Sequence, residues 1–452
     1  MISRRHLLSA AAGLALAFGA SAASAQQRVQ IDFWHGLTQP LGGLLEQIAA
    51  DFNASQTRYQ VNATFRGAYP ETMVAAIAAY RAGNAPHIVQ MFEVGTATMM
   101  AARGAIVPVQ DLMAEAGMAF NPNDYIASVR GYYSLPNGVM MSMPFNSSTS
   151  ILFWNKDHFR RAGLNPDQPP RTWAETRQFA QRLRAAGLNC PLTTAWPTWT
   201  QFEQFSAIHD VPLATKTNGL GGMDAVLQIN SPLHVRHVQT LMDMQREGTF
   251  RYGGRDGAAD ALMASGECSM IHASSGLRAR LIRELPGGLA NLGAGFLPFY
   301  DDHIREPKNS IIGGASFWVM QKPGRTRDEF RGVAEFFRFI GRTEVVAKWH
   351  TDTGFLPITT AGFEAVQRTN FYQQNPGADV PVRQMLRTPT TQNSMGLRLG
   401  NMPEIRVVIQ EELERALQGQ QTAKQALDRA VERGNVILRN FERANRGAAT
   451  RG

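Results

Sequence analysis

Short β-rich runs alternate with helical patterns along almost the whole chain, and this alternation limits the possible folds more than any other feature of the sequence. Runs rich in β-branched and aromatic residues occupy residues 29–34, 59–65, 88–91, 151–154 and 317–320. Strands that alternate with helices form sheets whose faces are covered by those helices. The sequence therefore predicts an α/β architecture.

Two of the helices carry clear signals at their ends. Thr172 and Glu175 have the spacing of a capping box, in which the two residues satisfy free backbone N–H groups at the start of a helix. Gly187 is expected to end this helix. A second helix is predicted to begin at Pro403 and to end before Gly419. Its buried stripe consists of Ile405, Ile409, Leu413 and Leu417.

The N-terminus has the composition of an export signal. Arg4 and Arg5 precede an apolar stretch over residues 7–20, and Ala-Ser-Ala follows at 23–25. That stretch is too short for a permanent transmembrane helix, and the sequence has no other long apolar run, so a membrane-spanning protein is excluded. Residues 1–25 are therefore interpreted as an export signal peptide. The paired arginines match a twin-arginine signal only in part, so the export route stays open.

The charge of the chain is mildly basic and is not concentrated. The 452 residues carry a formal net charge of +8, which falls to +6 when Arg4 and Arg5 leave with the signal. Nucleic-acid-binding proteins gather such charge in a stripe, whereas here it is scattered along amphipathic helices. We therefore expect no nucleic-acid partner. The two cysteines, Cys190 and Cys268, could pair in an oxidising compartment, but their spacing does not decide this.

The common catalytic and metal-binding signatures are absent from the sequence. It contains no His-Glu-x-x-His helix, no Gly-x-Ser-x-Gly elbow and no phosphate-binding Gly-rich loop ending in Lys-Ser/Thr. His234 and His237 are three residues apart on a predicted helix but have no third ligand nearby, so they are interpreted as ordinary surface histidines. We therefore predict no catalytic residues, no metal and no cofactor.

After removal of the signal, about 427 residues remain, which is more than a single core usually serves. No low-complexity linker separates two consecutive domains. Two α/β lobes through which the chain passes more than once, with a cleft between them, are one economical solution.

Several segments contain residue types that folding alone explains poorly. They include "FRGAYPETM", "MFEVGTATMM", "MPFNSSTSILFWNKD", "TAWPTWTQFEQF", "MIHASSG", "IIGGASFWVM", "HTDTGFLPIT" and "GLRLGNMPEIR". In order and over nearly the whole mature chain, they resemble the glycerol-3-phosphate-binding proteins of ABC importers, within extracellular solute-binding protein family 1. The combination "FWNKD" and "TWAE" is common to sugar-binding relatives, whereas "EVGTATMM", "IIGGAS" and "GLRLGNMP" indicate the glycerol-phosphate branch.

This resemblance implies a two-lobed periplasmic binding protein of type II, similar to cluster D, with its ligand cleft between the lobes. Residues 26–144 and 299–353 are then expected in lobe 1, and residues 145–298 and 354–452 in lobe 2. The resemblance also implies a monomer in the periplasm. Its partners would be the transmembrane subunits of an ABC permease and, through them, a cytoplasmic ATPase.

The resemblance also implies the residues of the ligand site. Tyr69 and Glu93 match the residues that recognise the polyol, and Gly314 matches a glycine whose N–H faces the ligand. Ser148 and Ser274 match serines at the phosphate end, with Ser147 and Ser275 as alternatives one position away. The tryptophan pair falls on Trp196 and Trp199, and the arginine that binds phosphate is assigned to Arg398.

Charge determines the direction of the expected ligand. A phosphate monoester carries about −1.5 to −2 charges near neutral pH, and arginine offers it a rigid fork of N–H donors. Glu93 is unsuited to that end, because two like charges about 6 Å apart cost roughly 3 kcal/mol at an effective dielectric constant near 20. We therefore expect Arg398 at the phosphate and Glu93 at the glycerol hydroxyls.

Phe355 departs from the family pattern, which has a tyrosine in this segment. The missing hydroxyl predicts that glycerophosphodiesters, which carry less negative charge, compete with the monoester. Two other functions are considered. A secreted hydrolase of phosphodiesters or glycosides would need a carboxylate pair, for which Glu93 and Glu203 are the nominees. An oligosaccharide-binding protein would keep the fold, but Arg398 and the two serines favour an anionic ligand.

Overall fold

The computed structural model describes residues 27–102 and 104–449. The expected signal peptide thus lies outside the described residues. Within the described part of the chain, every helix is too short or too polar to cross a membrane.

The described residues form ten strands and twenty α-helices, besides three short 3-10 helices and one π-helix. The strands are β1 (Val29–His35), β2 (Tyr59–Phe65), β3 (Ile88–Phe92), β4 (Ile106–Val107), β5 (Met143–Ser148), β6 (Ser150–Asn155), β7 (Leu192–Thr194), β8 (Met270–Ser274), β9 (Leu292–Gly295) and β10 (Gly313–Met320). The first ten helices are α1 (Leu41–Ser55), α2 (Tyr69–Arg81), α3 (Thr96–Ala101), α4 (Val109–Glu115), α5 (Ala127–Tyr133), α6 (Lys156–Arg161), α7 (Trp173–Ala185), α8 (Phe205–Ile208), α9 (Thr215–Asn218) and α10 (Pro232–Arg246). The remaining ten are α11 (Asp260–Ala264), α12 (Arg278–Glu284), α13 (Gly288–Asn291), α14 (Arg327–Ile340), α15 (Thr343–Thr353), α16 (Thr360–Gln367), α17 (Phe371–Gln374), α18 (Val380–Met385), α19 (Met402–Leu417) and α20 (Ala423–Ala449).

The local signals in the sequence correspond to real element ends. The capping box of Thr172 and Glu175 is present at the start of α7, with Thr172 accepting from the backbone N–H of Glu175 at 3.1 Å. Gly187 follows this helix with a positive φ of 83°. Helix α19 has Pro403 in its first turn and buries Ile405, Ile409 and Leu413 as predicted, whereas Leu417, the fourth residue of the predicted stripe, is only half-buried.

A six-stranded sheet organises one lobe. Its order is β2-β1-β3-β10-β4, and β5 also pairs with β10. Strand β1 runs parallel to β2 and β3, whereas β10 is antiparallel to β3, β4 and β5. Phe33 and Phe317 lie in its core with ring centroids 4.7 Å apart, and both are fully buried.

A four-stranded sheet of order β7-β8-β6-β9 organises the other lobe. Strand β6 is antiparallel to β8 and β9, and β7 is parallel to β8. Cys190 and Cys268, which come just before β7 and β8, form a disulfide. The sequence left this pairing open, and the adjacency of the two strands brings the cysteines together.

The pairing of the strands shows where the chain passes between the two sheets, while the predicted lobe boundaries stay predictions. Strand β5 pairs with β10 in the first sheet, so residues 145–148 stay with that sheet and the crossing occurs between Ser148 and Ser150. Phe299 remains beside the second sheet through a bridge to Thr172. The chain therefore returns to the first sheet only at β10.

The C-terminal helices contact both lobes. Ile405 and Ile409 of α19 share one buried cluster with Val89 of β3, Trp318 of β10 and Val238 of α10. Helix α20 packs along α19 and α10. The assignment of residues 354–452 to one lobe thus stays a prediction. The consequence for function is that α19 lies where both lobes meet.

Candidate functional site

A cleft with a cavity volume of about 560 Å³ lies where the two sheets approach each other. Its wall includes Ser148 at the end of β5, Gly314 at the start of β10 and Ser274 at the end of β8. The carboxyl ends of β5 and β8 therefore face one space. Eight of the nine predicted site residues line this cleft: Tyr69, Glu93, Ser148, Trp196, Trp199, Ser274, Gly314 and Phe355. Their roles toward a ligand stay predictions.

Tyr69 is the first residue of α2 and presents its ring to the cleft. Its hydroxyl accepts a hydrogen bond from Asn146 Nδ2 at 2.8 Å. The ring stacks on Phe92, with centroids 5.7 Å apart, and lies 6.2 Å from the ring of Trp196. Burial raises the pKa of Tyr69, so the residue is a neutral phenol whose O–H remains available as a donor.

Gly314 occupies a position that only glycine tolerates. Its φ is +87°, and a Cβ at this position would lie 1.9 Å from the carbonyl oxygen of Asn146. The cause is the close pairing of β10 with β5, in which Gly314 is opposite Ser147. The backbone of β10 can therefore approach the cleft closely, as the expected N–H contact to a ligand requires.

In each of the two pairs of adjacent serines, only one member lines the cleft. Ser148 and Ser274 line the cleft, whereas Ser147 and Ser275 do not. Ser274 also accepts from the N–H of Gly276 at 3.2 Å, so its hydroxyl starts the short turn that follows β8. The hydroxyl hydrogen of Ser274 is thus free to point elsewhere, since the oxygen is the acceptor in this contact.

Trp196 and Trp199 both line the cleft, but in different ways. Trp199 is buried, begins the π-helix Trp199–Gln204, and its Nε1–H has no hydrogen-bond partner among the described residues. A buried donor without a partner at a cleft is the kind of group that a ligand oxygen can satisfy. Trp196 has a φ of +50°, which is unusual for a residue with a side chain. Such strain is often concentrated at binding sites.

Arg398 does not line the cleft, which corrects the expectation that its guanidinium lies at the ligand. Its Nη2 donates to the carbonyl oxygens of Gly131, Tyr132 and Ser134 at 3.3, 3.1 and 2.8 Å. These are carbonyls at the C-terminal end of α5, which lack partners within the helix. Burial lowers the pKa of Arg398. The guanidinium therefore stabilises a helix end.

Arg280 and Arg283 line the cleft with partly exposed side chains. Arg406 supplies a buried cation to the same wall, and the sequence interpretation missed it. It lies on α19 and is buried. Its Nε and Nη2 donate to the two carboxylate oxygens of Glu203 at 2.7 and 2.8 Å, and Nη2 also donates to Glu93 at 2.6 Å. The sequence does contain one signal for this residue, a single charge inside the apolar run Ile-Arg-Val-Val-Ile. A charge buried with such a run needs a partner, because an unpaired buried charge is costly.

Glu93, Glu203 and Arg406 form an ion cluster that joins both lobes through α19. Glu93 follows β3 of the first sheet, and Glu203 lies on the π-helix that follows β7 of the second. Burial raises the pKa of Glu93, the charge of Arg406 lowers it, and the charge of Glu203 raises it again. The two carboxylates share one guanidinium. Their charges and hydrogen bonds hold the pKa of Arg406 above its usual range, although burial lowers it.

A second cavity of about 340 Å³ adjoins the cleft. The two cavities share Phe92, Trp196, Asp256 and Arg406 in their walls. The N–H of Trp196 donates to the carbonyl oxygen of Asp256 at 2.6 Å, and both residues have positive φ. This strained pair thus borders both spaces.

His234 and His237 are buried, which corrects their interpretation as surface histidines. His234 contacts the hydroxyls of Ser206 and Ser231 through its two ring nitrogens, and His237 contacts Gln201. Within the described residues, no group of three or more His, Cys, Asp or Glu side chains is arranged to hold a metal ion. These histidines belong to the core beneath the π-helix.

A polar and aromatic cleft at the junction of two α/β lobes is the architecture of a solute-binding protein. Residues 47–380 match the family described as bacterial extracellular solute-binding protein. The sn-glycerol-3-phosphate-binding periplasmic protein of Pectobacterium atrosepticum is 45% identical, over 98% of this chain and 99% of the relative. The protein with the same description from Escherichia coli is 46% identical, over 96% of this chain and 98% of the relative.

Two solved structures share the fold. The UgpB protein of Mycobacterium tuberculosis, in complex with glycerophosphocholine, superposes with a TM-score of 0.75 at 20% identity, over 92% of this chain and 99% of that chain. The GacH receptor of Streptomyces glaucescens also superposes with a TM-score of 0.75, at 15% identity, over 92% of this chain and 100% of that chain. The chain belongs to the family of bacterial extracellular solute-binding proteins, and it is a receptor rather than an enzyme.

Proposed function

We propose that this protein is the periplasmic receptor that captures sn-glycerol 3-phosphate and glycerophosphodiesters for an ABC importer. The observation that carries the proposal is a buried arginine, Arg406, at a cleft that also contains Tyr69, Ser148, Ser274 and Gly314. Its relatives at about 45% identity are named as sn-glycerol-3-phosphate-binding periplasmic proteins. The signal peptide is removed near Ala25, and the mature protein acts as a monomer that delivers its ligand to the permease subunits.

The residue types in the cleft match the two ends of such a ligand. Arg406, the hydroxyls of Ser148 and Ser274, and the free N–H of Trp199 are donors for the phosphate oxygens. Glu93 is an acceptor for the hydroxyls of glycerol. Because its carboxylate contacts Arg406 at 2.6 Å, the glycerol hydroxyls and the phosphate bind side by side, and not at well-separated ends as expected from the sequence. The adjoining cavity near Trp196 provides space for the alcohol portion of a diester. The ligand closes the lobes because it contacts both of them.

Calorimetry with the purified mature protein tests the ligand class. Glycerol 3-phosphate and glycerophosphocholine should both bind with dissociation constants of about 1 μM or lower, in the range of specific small-molecule sites. Glycerol and maltose should show no measurable heat at the same concentrations. Tight binding of maltose, or hydrolysis of glycerophosphocholine during the titration, would contradict the proposal.

Two arginine variants test which residue meets the phosphate. Arg406→Lys keeps the charge but loses the planar fork of donors, so we expect affinity for glycerol 3-phosphate to fall about 30-fold or more. Arg398→Lys is the matched control, because it makes the same change at the end of α5. Its affinity should stay within about threefold of the parent. The reverse order of effects would assign the phosphate to Arg398.

A further inference from the structure

The ion cluster at the cleft has more negative than positive groups. Glu93 and Glu203 are 4% and 2% exposed, and both accept hydrogen bonds from the one guanidinium of Arg406. When all three groups are ionised, the cluster carries one net negative charge. An anion that binds at Arg406 therefore adds a second negative charge to a site that water does not screen well.

No other cation in contact with the cluster balances this charge among the described residues. The titratable groups that face it are Tyr69, Tyr132, Tyr133 and Asp256, and burial raises the pKa of each of them. The three tyrosines are thus neutral. Arg398, which lies beside Tyr132, uses its Nη2 on backbone carbonyls. Arg280 and Arg283 also line the cleft, but both pair with Glu284 and their side chains are partly exposed to solvent. The charge of an anion bound at Arg406 is therefore met chiefly inside the buried cluster.

We propose that the Glu93–Arg406–Glu203 cluster takes up one proton from solvent when an anionic ligand binds, with Glu203 acting as the positioning residue that holds Arg406 toward the cleft. The proton forms an O–H bond on one of the two carboxylates that share Arg406. Glu203 engages Nε and Nη2, and none of the hydrogen bonds of Arg406 uses Nη1, which stays available to the ligand.

This inference rests on the proposed function and names a regulation of the same site. Protonation converts one carboxylate from a repulsive neighbour of the anion into a neutral group that can donate a hydrogen bond. Because the bound state holds more protons than the free state, affinity decreases as the pH rises. The cluster joins elements of both lobes, so the same proton also favours the closed form.

The proton count can be measured with glycerophosphocholine, since a phosphodiester has no ionisation near neutral pH that would contribute protons of its own. Calorimetric titrations at one pH in buffers of different ionisation enthalpy give the number of protons taken up. For the mature protein we expect a value approaching one proton per ligand near pH 7.5. Affinity should fall by up to about tenfold for each unit of increasing pH.

Two variants decide whether the cluster is the group that accepts the proton. Glu203→Gln should abolish the uptake and flatten the pH profile, because one carboxylate then balances one arginine. Glu411→Gln is the matched control, since Glu411 shares Arg433 with Glu412 in a similar arrangement outside the cleft. It should leave both the proton count and the affinity unchanged.

The possible outcomes distinguish a failure of this inference from a failure of the proposed function. Binding of glycerophosphocholine by the parent protein without proton uptake overturns the inference and leaves the receptor function standing. Unchanged uptake in Glu203→Gln also overturns it. If Glu203→Gln does not fold, the proton count and pH profile of the parent still decide. Failure of both glycerol 3-phosphate and glycerophosphocholine to bind removes the proposed function and the inference together.

Discussion

The ring of Phe355 forms part of the cleft wall and is held in place by its neighbours. It lies nearly parallel to the ring of Trp349, with centroids 5.8 Å apart and an interplanar angle of 6°. It also packs against Gly276, where a Cβ would come within 2.8 Å of the ring. The ring is thus fixed in position. The substituent at its para carbon, hydrogen in Phe or a hydroxyl in Tyr, determines whether this part of the wall has a hydrogen-bond donor.

Phe355→Tyr should shift preference toward the phosphate monoester. A hydroxyl at this position adds a donor to a charged acceptor, which is worth about 1.5 to 3 kcal/mol, or roughly ten- to a hundredfold in affinity. We expect the ratio of glycerol 3-phosphate to glycerophosphocholine affinity to rise by that factor in calorimetric titrations. Phe363→Tyr, the same change at a partly buried residue that packs against the core and does not line the cleft, is the control. An unchanged ratio in Phe355→Tyr would show that the hydroxyl does not reach the ligand.

Strand β10 shows how one element both completes a sheet and shapes the site. It pairs with β3, β4 and β5, so its position is fixed by three neighbours. Its first residues, Gly313 and Gly314, lie opposite Ser148 and Ser147, and Gly314 lines the cleft. At Gly313 a Cβ would meet the ring of Trp199 at 2.3 Å, so this glycine lets the tryptophan pack against the strand.

Gly314→Ala should therefore disturb the sheet and the site together. The new Cβ clashes with a backbone carbonyl, which cannot move as a flexible side chain does, and φ is positive. We expect a loss of about 3 kcal/mol or more in the free energy of unfolding, measured by urea denaturation. Gly324→Ala is the control, because its φ is also positive, at +77°, but no atom lies within 4 Å of the new Cβ. Its loss should be about 1 kcal/mol. Equal losses in the two variants would mean that the clash is relieved.

Neutral histidines in the core influence the stability of the folded protein as a whole. Burial lowers the pKa of His209 to about 4 and those of His234 and His272 to about 3. Burial also lowers the pKa of His350 to about 4, in a separate part of the core. In the unfolded chain these groups titrate near 6.5. The folded state thus resists protonation that the unfolded state accepts.

Acidification should therefore destabilise the protein well above the range in which carboxylates are neutralised. Stability is fully present above about pH 6.5 and is lost as the pH falls toward 4, because the unfolded state binds more protons. At pH 5 each buried histidine should cost about 1 to 2 kcal/mol. Asp260, whose pKa burial raises to about 7, acts in the opposite direction. Urea denaturation at pH 7.5 and pH 5 measures the difference. Equal free energies of unfolding at the two pH values would contradict the expected histidine contribution.

Local features were predictable because their causes are local. The strand runs, the capping box at Thr172 and the helix that begins with Pro403 depend on periodicity and on residues only a few positions apart. The family pattern also carried eight cleft residues, including Tyr69 and Gly314, to positions that line one space. Short-range physics and a long, specific resemblance were sufficient for these.

Which of Arg398 and Arg406 lines the cleft could not be predicted from the neighbouring residues in the sequence. Both arginines lie within one segment, and only the placement of α5 beside Arg398, and of Glu93 and Glu203 beside Arg406, separates a helix-end contact from a cleft residue. The burial of His234 and the pairing of the two cysteines depended in the same way on elements distant in sequence. Charge partners and burial are properties of packing, and the packing of segments that are distant in the sequence exists only in the folded chain.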